Sequence, residues 1–513
     1  MGVLDLLRAG SSHDKTVGGA GEASETLRGV IDIGSNSVRL VVFAIRGHSV
    51  TAHYNEKVMA GLGRGLGQTG RLDPDGVAMA LRALKRFRAI ADGLGEVPVE
   101  AFATAAVRTA TDGEAFVQRA RKEAGFDIHV LSGAEEAQAS AEGVRAGLIG
   151  VDGVIGDLGG SSLELIACNG GQLGEGETHL VGPLALQQGD GQLDHEKARA
   201  KIAASLKGSR VLPRAGDTFY AVGGSFRAFA RVHMELTGYP LLLLHGYAMT
   251  GKDVRRLAKR FTDTSDDIHA VARNVSQKRA PLLPYAALVL DEMLRASDTQ
   301  TLQVSAYGLR EGRIFMGSEA LHMPETVFLD GIELIGRLRA DKRPFTEALE
   351  RFIKPVISAL PAVFDAGEME ALLLRAACRL SDIGAALHPE YRAQLSYDLV
   401  RHGPFAGVGH IERLFLASAA GRRYSKGFKP PETDATLIGE ERSRRARQIG
   451  ALMRLGAAFS GRTAELLAGA SLRIEDQKLV FDPGEHEEAM VSDFVMRRLE
   501  QAAATLELEP VIA

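Results

Sequence analysis

Gly29-Val-Ile-Asp-Ile-Gly-Ser-Asn-Ser-Val-Arg-Leu-Val-Val-Phe43 and Gly153-Val-Ile-Gly-Asp-Leu-Gly-Gly-Ser-Ser-Leu-Glu-Leu-Ile-Ala167 share one plan. In each, β-branched and other apolar residues flank a turn of Gly, Ser and Asn, the pattern of strand, tight turn and strand. Superimposed, both read Asp, apolar, Gly, small, small, Ser, apolar, variable, Leu. Asp32 falls on Asp157, Gly34 on Gly159, Ser37 on Ser162 and Leu40 on Leu165. The same order of functional residue types inside the same local structure points to internal duplication.

Strands and helices alternate around each hairpin. Asp73-Pro74 reads as an N-cap with Pro at the first helical position, opening an amphipathic helix to about Gly93. Val99 to Ala103 reads as a short strand, Thr111 or Asp112 as the start of a helix, and Asp127 to Leu131 as a further strand. The second half continues with a strand at Thr218 to Val222, the turn Gly223-Gly224-Ser225 and a following helix. Leu241 to Leu244 reads as a core-strand fragment. The expected fold class is α/β, with two duplicated lobes and a cleft between them. From about Phe328 the pattern changes to helical spacing over Arg337 to Leu360, Glu368 to Leu387 and Arg442 to Phe459. Beyond these lie a hairpin over Leu472 to Phe481 and a helix from Met490 to about Leu506. The expected division is an N-terminal disordered extension over 1–27, lobes over 28–148 and 149–325, and an α-helical domain over 326–513.

Bulk properties fit this division, since 513 residues exceed one hydrophobic core. A formal net charge of -4 gives no global reason to expect nucleic-acid binding. Cys168 and Cys378 make no disulfide framework and fit no metal-ligand spacing, which favours a reducing compartment. No apolar run approaches the ~18 residues that cross a bilayer, and no signal peptide is legible. A cytoplasmic location without membrane association is expected.

The turn Gly34-Ser35-Asn36-Ser37 offers backbone N–H groups and small donors with no bulky side chain in the way, a suitable cradle for phosphate oxygens. Gly159-Gly160-Ser161-Ser162 offers the same from the other lobe, and Gly223-Gly224-Ser225 is a third candidate. Taken singly such turns are only turns; the repeated Asp beside two of them changes the reading. Asp32 and Asp157 each end an apolar strand, where a carboxylate is costly without a partner. Mg²⁺ (or Mn²⁺) shared with bound phosphate satisfies both.

These motifs resemble the exopolyphosphatase and guanosine pentaphosphate phosphohydrolase family, a branch of the actin, heat-shock chaperone and sugar-kinase superfamily. Ala103-Thr-Ala-Ala-Val-Arg-Thr-Ala110, Ser132-Gly-Ala-Glu-Glu-Ala137, Asp157 to Glu164, Gly223-Gly-Ser-Phe-Arg227, His245-Gly-Tyr247 and Ser305-Ala-Tyr-Gly-Leu-Arg-Glu-Gly312 occur in that family's order. Ser161 and Leu163 depart from its Gly and Thr. The resemblance implies actin-like lobes and assigns Glu136 to the attacking water. Ser132-x-x-Glu135 is a capping box that occupies Glu135, leaving an ionised Glu136 for chemistry. Glu164 is implied as a second acidic group, with Arg108 and Arg227 as phosphate clamps on the two lobes.

The C-terminal domain resembles that family's helical HD-like domain with its metal ligands lost. Ser381-Asp-Ile-Gly384 and Gly421-Arg-Arg423 stand where His is expected, and Asp382 with His410 cannot hold a metal pair. The basic residues around Arg422, Arg423, Arg442, Arg444 and Arg445 read by default as a solvated helix face, and the domain suits a channel wall for a long anion, or a homodimer surface. The implied activity is hydrolysis of the terminal phosphoanhydride of inorganic polyphosphate, with guanosine pentaphosphate as the alternative substrate. A nucleotide-binding regulator and a kinase are the rival classes.

Overall fold

The computed structural model describes residues 25–186, 194–214, 216–263, 266–318, 323–336, 343–364, 367–486 and 490–513. Most of the expected N-terminal extension lies outside the described residues, but Thr26 and Leu27 already belong to the first strand.

Lobe I is a five-stranded sheet of β1 (Thr26–Ile33), β2 (Val38–Arg46), β3 (Ser49–Val58), β4 (Val99–Ala103) and β5 (Ile128–Val130), ordered β3-β2-β1-β4-β5. Lobe II repeats it with β6 (Gly153–Leu158), β7 (Leu163–Asn169), β8 (Gln172–Leu173), β9 (Glu177–His179), β10 (Thr218–Val222), β11 (Ala248–Thr250) and β12 (Thr301–Val304). Its order is β11-β12-β10-β6-β7-β8, with β9 pairing β7. The first hairpin is antiparallel and its leading strand runs parallel to β4; β6 bears the same relations to β7 and β10. Duplication is thus visible in topology and in sequence. The α/β architecture expected from the repeat is the one observed.

Both sheets carry helices, which makes the leading strands apolar on each face. In lobe I, Ile31, Ile33, Val38 and Leu40 pack with Leu84 and Phe87 of the Pro74–Gly93 helix. Asp73 caps that helix by accepting from Gly76 N–H at 2.7 Å. Asp112 precedes the Gly113–Ala124 helix without capping it, because its carboxylate accepts from Leu72 N–H at 2.9 Å instead.

Leu241 to Leu244 is not a strand: the segment is irregular, Leu241 packs against Leu414 and Ile438, and Leu242 is exposed. A helix over Pro324–Gly336 runs across the boundary expected at 325/326. The helix expected over Glu368 to Leu387 stops at Arg379. Tyr424 anchors the turns beyond it, its hydroxyl accepting from Gly384 N–H at 3.0 Å and donating to Ser381 C=O at 2.9 Å. The C-terminal part adds the helices Arg392–His402, His410–Tyr424, Glu440–Ser460 and Asp493–Leu506. A three-stranded sheet accompanies them, β13 (Ser471–Glu475), β14 (Lys478–Asp482) and β15 (Glu509–Ile512), whose last strand the sequence pattern did not suggest.

This part is tied to the lobes by backbone, with Gly407 N–H donating to Gly147 C=O at 2.7 Å and Ile149 N–H to Gly407 C=O at 3.0 Å. Among the described residues no helix is long and apolar enough to cross a membrane.

Candidate active site

The two hairpin turns meet across the interlobe cleft. Each is closed in the same way, Gly34 N–H donating to Ser37 C=O at 3.0 Å and Gly159 N–H to Ser162 C=O at 2.9 Å. Ser35 and Ser161 hydroxyls lie 3.3 Å apart, bridging the lobes. The third turn is fixed by close approach: Gly223 sits at φ +100, and a Cβ there would fall 2.4 Å from Leu158 O and 3.0 Å from Asp157 Oδ1. Ser225 and Arg227 continue from it into the Gly224–Thr237 helix.

A cleft of about 390 Å³ gathers Asp32, Asp157, Glu136, Glu164, all three turns and Arg227. Sequence reasoning missed its other cations, Lys57, Lys278, Arg279 and Arg310; Arg39 holds in the first hairpin the place that Glu164 holds in the second. Arg310 falls within the quoted Ser305 to Gly312 motif and was legible there. Lys57 sits on β3, Lys278 and Arg279 on a loop, and nothing local marks them. With Arg39 and Arg227 they give six Lys and Arg side chains against the four carboxylates.

The cations and the carboxylates meet at Asp32 and Asp157, which feel Arg310 and Arg39, and Arg227 and Arg310, respectively. Burial and the charges of Arg310 and Arg227 lower Arg39 to about 10, and burial with Arg279 and Arg39 lowers Lys57 to about 8. On the acidic side, burial raises Asp32 and Asp157, partly offset at Asp32 by Arg310 at 3.8 Å. Ser140, one helical turn beyond Glu136, donates to Asp157 Oδ2 at 2.6 Å and was not foreseen. Its Gly133–Gly147 helix is held against the Leu309–Phe315 helix by glycines. A Cβ on Gly312 would lie 1.7 Å from Ala139 O, and one on Gly143 2.1 Å from Gly308 O.

The capping box is present: Ser132 Oγ accepts from Glu135 N–H at 3.2 Å and Glu135 Oε2 from Ser132 N–H at 2.8 Å. That backbone N–H, with Ser132 Oγ and His129, takes Glu135 down to about 2. Glu136 behaves differently from the expectation of a simply ionised base. It is 7% exposed, and burial, opposed by Arg108 and reinforced by Asp157 and Asp32, raises it to about 7. Desolvation outweighs the helix N-terminus. Glu164 is raised well above the carboxylate range by burial and by the charge of Glu136, and its Oε1 has no hydrogen-bond partner.

Arg108 is paired with Glu136 and also donates to Leu131 C=O, behind the base rather than in the cleft wall. Arg227 lines the cleft and donates to Ala306 C=O at 3.1 Å.

In the C-terminal part the basic residues do not form one face. Arg445 is buried and paired with Glu370, Arg442 donates to Val363 C=O at 3.1 Å, and Arg422 donates to Lys426 C=O at 2.6 Å. Only a wall built without Arg445 is compatible with this packing, because a buried, paired guanidinium cannot meet a chain in solvent. His410 packs against lobe II, 3.0 Å from the Tyr239 hydroxyl and 3.1 Å from His245 O, and burial lowers it to about 4.

The family model for the Ppx/GppA phosphatase family matches residues 41–320. The chain belongs to this family. A second model, exopolyphosphatase C-terminal, matches residues 333–503. Exopolyphosphatase 1 of Mycobacterium tuberculosis H37Rv is 31% identical over 316 residues, covering 57% of this chain and 89% of the relative. Exopolyphosphatase 1 of Mycobacterium leprae is 30% identical over 320 residues, covering 57% and 90%. The Ppx/GppA crystal structure from Aquifex aeolicus shares the fold, with TM-score 0.50, 24% identity and coverage of 57% of this chain and 98% of that one. An exopolyphosphatase structure from Cytophaga hutchinsonii gives TM-score 0.50, 24% identity, 58% and 98%. The Ppx/GppA chain described here is a phosphoanhydride hydrolase.

Phosphatases of this family depend on a divalent metal. Among the described residues no three His, Cys, Asp or Glu side chains form a ready-made metal cage. Mg²⁺ needs none, since it is held by one or two carboxylates with phosphate oxygens and water. Buried, mutually repelling Asp32 and Asp157 and the unpartnered Glu164 Oε1 are the donor set such an ion fits.

Proposed function

We propose that this Ppx/GppA protein is an exopolyphosphatase that removes the terminal phosphate of inorganic polyphosphate. The gathering of both charges in one cleft carries the reading: six Lys and Arg side chains able to hold a polyanion line it together with four carboxylates able to manage water and a cation. The terminal phosphoryl group rests between the Gly34–Ser37 and Gly159–Ser162 turns, whose N–H and hydroxyl groups take its oxygens. Glu136, poised near neutrality, orients the attacking water and accepts its proton, with Arg108 fixing its carboxylate. Burial and the charges of Asp157 and Asp32 raise the basicity of Glu136. Lys57, Arg39, Arg279 and Lys278 hold the remaining phosphates, and Arg227 and Arg310 stabilise the charge that develops. Asp32 and Asp157 would hold Mg²⁺ or Mn²⁺, which supplies charge neutralisation at the phosphate.

Relief of repulsion among the cleft's cations gives a reason to prefer a polyanion, and no observation favours guanosine pentaphosphate over it. A phosphate-release assay across polyphosphate lengths, with guanosine pentaphosphate as competitor, tests the reading. Release from polyphosphate in water without an acceptor is expected. Phosphate appearing only on an acceptor identifies a kinase, and binding without release a regulator.

A further inference from the structure

Ser140 departs from the usual use of a hydroxyl inside a helix. Such a hydroxyl ordinarily returns its proton to the carbonyl four residues back. Thr109, Ser396, Ser418 and Ser460 do so, donating to Ala105, Arg392, Leu414 and Gly456 C=O at 2.6 to 2.9 Å. Ser140 instead gives its proton to a strand of lobe II, its Oγ donating to Asp157 Oδ2 at 2.6 Å. It is 2% exposed and does not itself line the cleft, so it reaches the site only through Asp157.

The two carboxylate oxygens of Asp157 are thereby made unlike. Oδ2 is tied to the helix, whereas Oδ1 faces the third turn, 3.0 Å from where a Cβ on Gly223 would fall. Among the described residues Ser140 is the one side chain that hydrogen-bonds Asp157. A carboxylate has about four acceptor positions, so one bond orients the group and leaves lone pairs for a cation. Glu136 lies one turn earlier on the same face of the Gly133–Gly147 helix. That helix is seated by the close approaches of Gly143 to Gly308 and of Gly312 to Ala139. Ser140 therefore fastens Asp157 to the same firmly packed element that carries the base.

We propose that Ser140 is a positioning residue for divalent-cation binding, its hydroxyl orienting the Asp157 carboxylate and keeping it in register with Glu136. This role rests on the assignment of Asp157 and Asp32 to the cation made above. A ligating carboxylate already held by a hydrogen bond gives up less rotational freedom when the ion arrives. Loss of such an outer partner weakens metal binding by about tenfold or more.

Binding of Mn²⁺ to the full-length chain without substrate, read from the electron paramagnetic resonance signal of the free ion, tests this apart from turnover. Ser140→Ala should weaken Mn²⁺ binding about tenfold, and in an Asp157→Asn background the same change should add less than about twofold. In phosphate release, the Mg²⁺ concentration giving half-maximal rate should rise about tenfold in Ser140→Ala, with kcat at saturating Mg²⁺ and polyphosphate KM changed less than about twofold. Mn²⁺ affinity in Ser140→Ala equal to wild type overturns the proposed role. So does an equal loss in both backgrounds, since a displaced helix rather than the Asp157 carboxylate is then the cause. If Asp157→Asn alone leaves Mn²⁺ binding unchanged, the cation lies elsewhere and Ser140 has no part in holding it. Release of phosphate from polyphosphate, read separately, is untouched by that outcome.

Discussion

The two hairpins of the repeat have the same backbone and differ in charge at one cross-strand position. In lobe I, Asp32 faces Arg39 across β1 and β2; in lobe II, Asp157 faces Glu164 across β6 and β7. Each turn is closed by the same Gly N–H to Ser C=O bond. One position of the duplicated unit therefore separates the halves. The Arg39 side joins Lys57, Arg279 and Arg310 in the cationic wall, and the Glu164 side joins Glu136 and Asp157 in the acidic cluster. Duplication supplied two like turns, and in the function proposed here a charge reversal at one cross-strand site gives them different work.

The comparison breaks most severely at the base. Glu136→Gln keeps shape and hydrogen bonding but removes the proton acceptor, so kcat should fall by about 10²-fold or more with polyphosphate KM little changed. Turnover close to wild type would remove Glu136 from the chemistry.

The cross-strand pair should then divide kcat from KM. Glu164→Gln is expected to lower kcat about tenfold and Arg39→Gln to raise KM about tenfold, each with little effect on the other constant. Equal effects on both constants from either variant would dissolve the division of labour. On the acidic side, Asp157→Asn should raise the Mg²⁺ concentration giving half-maximal rate, read from a metal titration.

A pH series sharpens the contrast further. Glu136 is raised from an ordinary 4.5 to about 7, so between those values the native state holds a proton that the unfolded chain has lost. Stability from this group is greatest at acid pH and falls as pH rises towards 7. Glu136→Gln should flatten that part of the melting-temperature profile, and the acid limb of wild-type kcat/KM should lie near pH 7.

The smallest effect belongs to the neighbouring residue. Glu135→Gln loses a charged cap and should cost under about 1 kcal/mol in chemical denaturation, with kcat unchanged.

Adjacent in sequence and identical in type, Glu135 and Glu136 show where legibility ends. The Ser132-x-x-Glu135 spacing named the capping box, because both partners lie within one helical turn and the bond is local. The state of Glu136 depends on what buries it and on Arg108, Asp157 and Asp32, which come from other elements. Arg108 was readable as a residue of the site but not as the partner of the base. Lys57, Arg279 and Ser140 were missed altogether: a lone Lys on a strand, an Arg before a turn and a Ser inside a helix carry no local pattern.

The sequence by itself determined the duplicated strand-turn-strand units, several of the strands and helices around them, the capping box and the three glycine turns. These rest on interactions within a few residues, and their period and spacing are written in the chain. Only the tertiary structure decided which charges share the cleft, that Arg445 is buried with Glu370, and that Ser140 meets Asp157. Burial and through-space charge fix the behaviour of an ionisable side chain, and both depend on residues brought together from distant parts of the chain.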